Sequence, residues 1–164
     1  MAEITLRGNP FHTVGELPAI GSTPTFTVTG ALLQDITNTD FAGSKLVLNI
    51  FPSVDTPTCA ASVRRFNELA NSMDNAKVLN VSADLPFAQG RFCGSEGLEN
   101  VQNGSSFRTG FGSDFGIALA DGPMSGLLAR AVVILDEDGT VVHRQLVPEI
   151  ADEPDYEAAL AALK

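Results

Sequence analysis

The sequence predicts an α/β fold in which a sheet with buried parallel strands at its centre is covered by helices. Two nearly continuous apolar runs, at 45–51 (KLVLNIF) and 77–83 (KVLNVSA), are typical of strands covered on both faces. A helical pattern separates these runs, and a hairpin and a last helix follow them. The 164 residues are 44% hydrophobic, enough for one buried core, so we expect a single domain over residues 1–164.

The elements of the first half follow from local patterns. EITLR and FHTVG flank the turn signal GNP and predict an N-terminal hairpin, and TFTVTG at 25–30 alternates as a half-buried strand does. From Thr58 to about Met73 apolar residues recur at spacings of three or four, which predicts an amphipathic helix between the two buried strands.

The second half continues the alternation. Pro86 suits the first turn of a helix that Gly94 or Gly97 would end, and the glycine-rich segment 98–129 is expected to be irregular. RAVVILD and TVVHRQLV flank DEDG and predict a hairpin at 130–147, before a C-terminal helix in EPDYEAALAALK. This order is that of a thioredoxin-like α/β sandwich with a right-handed crossover helix, to which the N-terminal hairpin is an addition.

Charge and composition restrict the choice of partners. A net charge of −10 without a basic stripe argues against nucleic acid and anionic membranes, which need clustered Lys and Arg. The N-terminal segment lacks a signal-peptide pattern and no apolar run approaches the roughly 18 residues of a membrane span, so we expect the cytoplasm. The two histidines and two cysteines match no usual zinc spacing, and we expect no metal or other cofactor.

Cys59 lies where the first buried strand is followed by a helix. In open α/β sheets, sites gather beyond the carboxyl ends of the strands. The unpaired N–H groups and the dipole of a helix N-terminus favour an anion there, and the thiolate is the nucleophilic form of cysteine. The alternative is an unreactive cysteine buried in the apolar core, which is a common role of a free cysteine.

Two neighbours favour a reactive Cys59. Pro52 cannot donate a backbone hydrogen bond and fixes the chain where the strand ends. Thr56 precedes Cys59 by three residues, so one helical turn would bring its hydroxyl close to the sulfur. A hydroxyl accepts one hydrogen bond and donates another, which suits a substrate with two adjacent oxygens. Thr56 could instead be a simple helix N-cap.

The pattern P-x-x-x-T-x-x-C, formed by Pro52, Thr56 and Cys59, resembles the active-site motif of the peroxiredoxins. Four longer strings are similar to the bacterial thiol peroxidase subfamily: NIFPSVDTPTCAASVRRFN, SADLPFAQGRFC, ADGPMSGLLARAVVILDEDG and EPDYEAALAALK. The resemblance extends over essentially the whole chain and implies the peroxiredoxin variant of the thioredoxin-like fold.

The resemblance also implies site roles. Cys59 would be the peroxidatic cysteine, whose thiolate attacks the terminal oxygen of hydrogen peroxide or an alkyl hydroperoxide and becomes a sulfenic acid. Thr56 would align the peroxide, and Pro52 would shield the sulfur from bulk water. Arg130 would stabilise the thiolate and the charge that develops on the leaving oxygen. By position alone, Arg130 would be a surface cation at the start of a strand.

Cys93 lies in GRFCG, where the subfamily carries its resolving cysteine. The resemblance implies an intramolecular Cys59–Cys93 disulfide, reduced by thioredoxin, and a homodimer. A disulfide needs Cα atoms within about 7 Å, so cysteines on two separate helices must rearrange locally to form one. From the residues alone, Cys93 is equally consistent with a small core residue on a helix.

Two alternatives use the same fold without peroxidase turnover. A thioredoxin-type disulfide exchanger needs C-x-x-C, whereas Cys59 is followed three residues later by Ser62. A non-enzymatic thiol redox sensor would be oxidised by peroxide but would not turn over with a reductant. Asp84 follows the second buried strand and could face the site, but its sequence neighbours indicate no role for it.

Overall fold

The computed structural model describes residues 1–96 and 101–163. Its strands are β1 Glu3–Leu6, β2 Asn9–His12, β3 Thr27–Thr29, β4 Asp35–Thr37, β5 Lys45–Ile50, β6 Ala76–Ser82, β7 Gln102–Ser105, β8 Ala131–Leu135 and β9 Val141–Leu146. Its helices are α1 Pro57–Ala70, α2 Pro86–Glu96, α3 Phe111–Asp114 and α4 Tyr156–Ala162, with a 3-10 turn at Asn38–Phe41.

Seven strands form one mixed sheet in the order β4-β3-β7-β6-β5-β8-β9, and β1 and β2 form a separate hairpin. Strands β5 and β6 are parallel neighbours near the middle, paired from Lys45↔Ala76 to Ile50↔Val81. All of β5 after its first residue is buried, as expected for a strand covered on both faces. The predicted α/β sandwich with an added N-terminal hairpin is therefore confirmed.

Successive residues of β5 face opposite sides of the sheet, so each face has its own core. Leu46, Leu48 and Ile50 join an aromatic-rich core that includes Phe26, Phe111 and Phe115. Val47 joins a second core with Phe66 and Leu69 of α1. Burying a phenylalanine or leucine side chain stabilises the fold by roughly 1.5–3 kcal/mol, so α1 is firmly seated on this second face.

Helix α1 begins at Pro57, whose missing N–H needs no partner at the first helical position. Its buried positions form one stripe, whereas Arg64 and Arg65 are exposed. The stripe consists of Cys59, Ala60, Ser62, Val63, Phe66 and Leu69. Because only the loop 51–56 separates β5 from α1, the first turn of α1 stands beyond the carboxyl ends of the parallel strands.

The structure differs from the sequence prediction in the segment 98–129. Residues 102–105 form β7, which lies between β3 and β6, and 111–114 form α3. Strand β7 has the sequence QNGS and carries no hydrophobic pattern. Its buried Gly104 allows close approach, because a Cβ there would collide with Val28 of β3. The prediction of irregular structure was therefore wrong for these residues.

Several predicted boundaries also moved. Helix α1 ends at Ala70 rather than near Met73, and the second helix does begin at Pro86. Gly94 lies inside α2 and does not end it, while Gly97 lies outside the described residues. Within the described part of the chain, none of the helices combines the length and the apolar character needed to cross a bilayer.

Candidate active site

Cys59 lies in the first turn of α1 and is fully buried. Its side chain belongs to a small apolar cluster with Phe51, Val54 and Val63, against which Phe92 of α2 packs. Cys59 and Cys93 are both free thiols. The sulfur therefore stands at the end of β5, at the start of a helix and shielded from bulk water.

Thr56 occupies the N-cap position of α1, but its side chain makes no capping hydrogen bond. Instead its hydroxyl donates to the backbone oxygen of Ser53 at 3.1 Å. Because the hydroxyl hydrogen is engaged there, the lone pairs of Oγ1 remain available to accept a hydrogen bond from a ligand. The Thr56 side chain therefore does not cap α1, which was the alternative role considered for it.

Arg130 immediately precedes β8 and is only 3% exposed. The expectation of a surface cation, based on its position in the sequence alone, was therefore wrong. Its Nε donates to the backbone oxygen of Ile150 at 2.8 Å. Its Nη1 is buried and has no hydrogen-bond partner among the described residues. An unpaired buried N–H of a charged group is costly, which favours a ligand oxygen at this position.

One cavity of about 400 Å³ brings three of the predicted residues together: Pro52, Thr56 and Arg130. The remaining wall is largely apolar and includes Leu6, Pro57, Met124 and Ile150. Cys59 lies one helical turn beyond Thr56, whereas Cys93 belongs to a different helix. Among the described residues, no three His, Cys, Asp or Glu side chains are grouped closely enough to hold a metal ion.

Asp84 fixes the loop that leads into α1, a role that its sequence neighbours did not reveal. Its Oδ1 accepts from the Ser53 hydroxyl at 2.7 Å, and its Oδ2 accepts from the backbone N–H of Val54 at 2.9 Å. The Ser82 hydroxyl donates to the same Oδ2 at 2.6 Å. The only sequence signal was a carboxylate placed directly after a buried strand, since Ser53 and Val54, its partners in the loop, lie 31 and 30 positions earlier.

Cys93 is half-buried on α2, where the amide nitrogen of Asn103 donates to its sulfur at 3.0 Å. Burial raises the pKa of the Cys93 thiol, and the hydrogen bond from Asn103 partly opposes this rise. In this conformation Cys93 is therefore held mainly as the protonated thiol.

Comparison with known proteins shows the family of the chain. Residues 19–160 match the Redoxin family. The chain is 62% identical over 164 residues to the thiol peroxidase of Mycobacterium tuberculosis and 55% identical to that of Corynebacterium glutamicum, in each case over 99% of both chains. A crystal structure of a peroxiredoxin-like protein from Aquifex aeolicus has a TM-score of 0.92 at 36% identity, covering 99% of this chain and 96% of that one. The chain therefore belongs to the Redoxin family and, within it, to the thiol peroxidases.

Proposed function

We propose that this thiol peroxidase reduces hydrogen peroxide and organic hydroperoxides through Cys59, with Thr56 and Arg130 as its peroxide-binding groups. The observation that carries the proposal is the cavity at the start of α1. There the unpaired Nη1 of Arg130 and the free lone pairs of Thr56 offer one donor and one acceptor. A hydroperoxide, with two adjacent oxygens and one O–H, matches this pair.

In the proposed first step the Cys59 thiolate attacks the terminal peroxide oxygen. The S–O bond forms and the O–O bond breaks, so the sulfur is oxidised to a sulfenic acid and the peroxide is reduced. The leaving alkoxide or hydroxide takes a proton and departs as alcohol or water. Arg130 donates to the oxygen on which charge develops, and the burial of this guanidinium strengthens the interaction. Pro52 limits access of water to the site.

In the proposed second step Cys93 attacks the sulfur of the Cys59 sulfenic acid. The S–S bond forms, the S–O bond breaks, and the hydroxide leaves as water with the proton released by Cys93. Cys59 sits in its own apolar cluster and Cys93 is bonded to Asn103, so both segments must rearrange. A dithiol then reduces the disulfide, and we propose thioredoxin for this role because the family commonly uses it.

The lining of the cavity favours organic hydroperoxides over hydrogen peroxide. Leu6, Met124 and Ile150 contribute apolar wall next to Arg130. An alkyl group placed there leaves water, which stabilises the complex by about 25 cal/mol per Å² of buried apolar surface. Hydrogen peroxide gains nothing from this wall.

A coupled assay tests the proposed function. Wild-type protein, thioredoxin and thioredoxin reductase are mixed with cumene hydroperoxide or hydrogen peroxide, and NADPH consumption is followed. We expect continuous turnover with both peroxides and a higher kcat/KM for cumene hydroperoxide. A single stoichiometric oxidation of Cys59 without turnover would favour the alternative of a non-enzymatic redox sensor.

Arg130→Lys should slow the reaction with peroxide by more than about tenfold while the fold stays intact, because lysine keeps the charge but loses the planar donor fork. Arg144→Lys is a matched control, since Arg144 is exposed and also donates to a backbone oxygen, that of Leu17. Rates of Cys59 oxidation are measured by quenched flow. Equal rates for Arg130→Lys and wild type would contradict the role given to Arg130.

Asp84→Asn should loosen the loop before α1, because one acceptor oxygen becomes an N–H donor that faces other donors. We expect the free energy of unfolding to fall by about 1–3 kcal/mol in urea titrations, and Cys59 to react more slowly with peroxide. Asp55→Asn is the control, since Asp55 is an exposed carboxylate of the same loop. A destabilised Asp84→Asn protein that still reacts at the wild-type rate would show that the site does not depend on this anchor.

Two further parts of the proposal concern the oligomeric state and the cellular compartment, and both are supported by family membership. We expect a homodimer, which sedimentation velocity at micromolar concentration tests, and a sedimentation coefficient of a monomer would contradict it. We also expect the cytoplasm, where thiols are kept reduced. Cell fractionation tests this location.

A further inference from the structure

Three asparagines form a row across the middle of the sheet, called here the asparagine ladder: Asn49 on β5, Asn80 on β6 and Asn103 on β7. Asn49 pairs in register with Asn80, and Asn80 with Asn103. Residues paired in register on neighbouring parallel strands point to the same face, which here is the face covered by α1. The ladder therefore runs beneath the helices that carry the two cysteines.

Hydrogen bonds join the members of the ladder in one direction. The amide nitrogen of Asn49 donates to Oδ1 of Asn80 at 2.9 Å, and that of Asn80 donates to Oδ1 of Asn103 at 3.3 Å. At one end, the amide nitrogen of Asn103 donates to Sγ of Cys93 at 3.0 Å. The same nitrogen also donates to the backbone oxygen of Gln89 at 3.5 Å, so both of its contacts are made to α2.

The other end of the ladder reaches the helix of Cys59. The amide nitrogen of Asn49 also donates to the Ser62 hydroxyl at 3.3 Å, and that hydroxyl donates to the backbone oxygen of Cys59 at 2.9 Å. A continuous chain of hydrogen bonds therefore connects the backbone at Cys59 with the sulfur of Cys93.

The ladder is an unusual use of this face of the sheet. The neighbouring residues on the same face, Val47 and Val78, are apolar and belong to the core. Asn49 and Asn80 are just as deeply buried, at no more than 1% exposed, but carry polar amides. A buried amide destabilises the fold unless it is hydrogen-bonded, so apolar residues would have served packing alone. What the amides add is a defined position for the groups at the two ends of the ladder.

We propose that Asn103 is a positioning residue for disulfide formation: it holds Cys93 and α2 on the sheet, so that its bond to the sulfur must break before Cys93 can reach Cys59. The inference rests on the proposed function, in which Cys93 resolves the sulfenic acid. The ladder then prolongs the packed conformation, in which Cys59 and its cavity are intact. Resolution waits for the release of α2.

Loss of the Asn103 amide removes its contacts with Cys93 and with the backbone oxygen of Gln89 but should not unfold α2, because the Gln89 side chain still anchors the helix. Its side-chain nitrogen donates to the Ser82 hydroxyl at 3.0 Å and to the backbone oxygen of Gly104 at 2.9 Å. Substitution of Asn103 therefore loosens the Cys93 end of the helix and leaves its first turns attached.

The test separates the two chemical steps in time. Asn103→Ala removes the donor, and Asn103→Asp keeps an oxygen for Asn80 but cannot donate to Cys93. Gln102→Ala, at an exposed position of the same strand, is the control. The chain contains no tryptophan, so reduced protein is mixed with cumene hydroperoxide in quenched flow, and its thiol, sulfenic, sulfinic and disulfide forms are counted by mass spectrometry.

We expect both Asn103 variants to form the Cys59–Cys93 disulfide about three to ten times faster than wild type, the range set by losing the bond to the sulfur and the longer, weaker one to Gln89. Oxidation of Cys59 should stay within about twofold of wild type, and less sulfinic acid should accumulate in excess peroxide. Hydrogen exchange of the α2 amides should quicken in the reduced variants. Gln102→Ala should match wild type in each measurement.

Disulfide formation at or below the wild-type rate in the variants would overturn the proposal, and a slower rate would show that Asn103 activates the sulfur instead. If wild type forms no Cys59–Cys93 disulfide at all, it is the proposed function that fails. Hydrogen exchange then still decides whether Asn103 holds α2: unchanged protection in both variants would overturn that part as well.

Discussion

Replacing Cys59 by serine should abolish peroxidase turnover, with both hydrogen peroxide and cumene hydroperoxide. A serine hydroxyl has too high a pKa to supply the nucleophile that the thiolate provides. The cavity of Pro52, Thr56 and Arg130 would remain, but the Met124 thioether in its wall could only be oxidised to a sulfoxide and cannot enter a thiol–disulfide cycle. The measurement is NADPH consumption in the coupled thioredoxin assay.

Two controls separate chemistry from folding in this experiment. The Cys59 side chain lies in an apolar cluster, where a serine hydroxyl would be buried at some cost, so Cys59→Ala tests the same loss with better packing. Circular dichroism and urea unfolding should show both variants folded. Turnover that survives in either folded variant would remove Cys59 from the mechanism.

Replacing Cys93 by serine should leave one reaction with peroxide and stop the catalytic cycle after it. Cys59 and its cavity are untouched, so the sulfenic acid forms at the normal rate. Without an intramolecular thiol to condense with, it should persist, react with dimedone, and oxidise further to sulfinic acid in excess peroxide. Thioredoxin-dependent turnover should fall sharply.

The surroundings of Cys93 make this substitution mild for the fold. A serine hydroxyl at this half-buried position accepts a hydrogen bond from Asn103 much as the sulfur does, so α2 should stay packed. Normal turnover, together with only a modest loss of stability, would instead indicate that Cys93 is a structural core residue. Turnover is measured in the coupled thioredoxin assay, and stability by urea titration of the same preparation.

Local sequence patterns predicted the parts of the fold whose residues carry their own signal. The apolar runs gave β5 and β6, the spacing of Val63 and Phe66 gave α1, and the turn DEDG gave the hairpin of β8 and β9. Strands β4 and β7 were missed because they are short and mostly polar. Strand β7 is held in the sheet by pairing and by the close approach at Gly104, neither of which leaves a hydrophobic pattern.

The site was predictable where one motif carries it and not where distant segments meet. Pro52, Thr56 and Cys59 fall within a single short stretch, whereas the burial of Arg130 depends on the chain around Ile150. The role of Asp84 depends on a loop that precedes it by some thirty positions. The asparagine ladder joins residues 31 and 23 positions apart, which only the strand order β5-β6-β7 places side by side.

The central claim is that one chain performs both thiol steps, with Cys59 oxidised by peroxide and Cys93 closing the disulfide. The most direct measurement is mass spectrometry of peroxide-treated wild type, blocked by alkylation and digested with trypsin without reduction. Trypsin cleaves between the two cysteines, after Arg64, Arg65 and Lys77, so Cys59 and Cys93 fall on separate peptides. We expect a linked pair carrying Cys59 and Cys93, from protein that runs as a monomer on a non-reducing gel. Cys59 joined to Cys59 of a second chain would contradict the account.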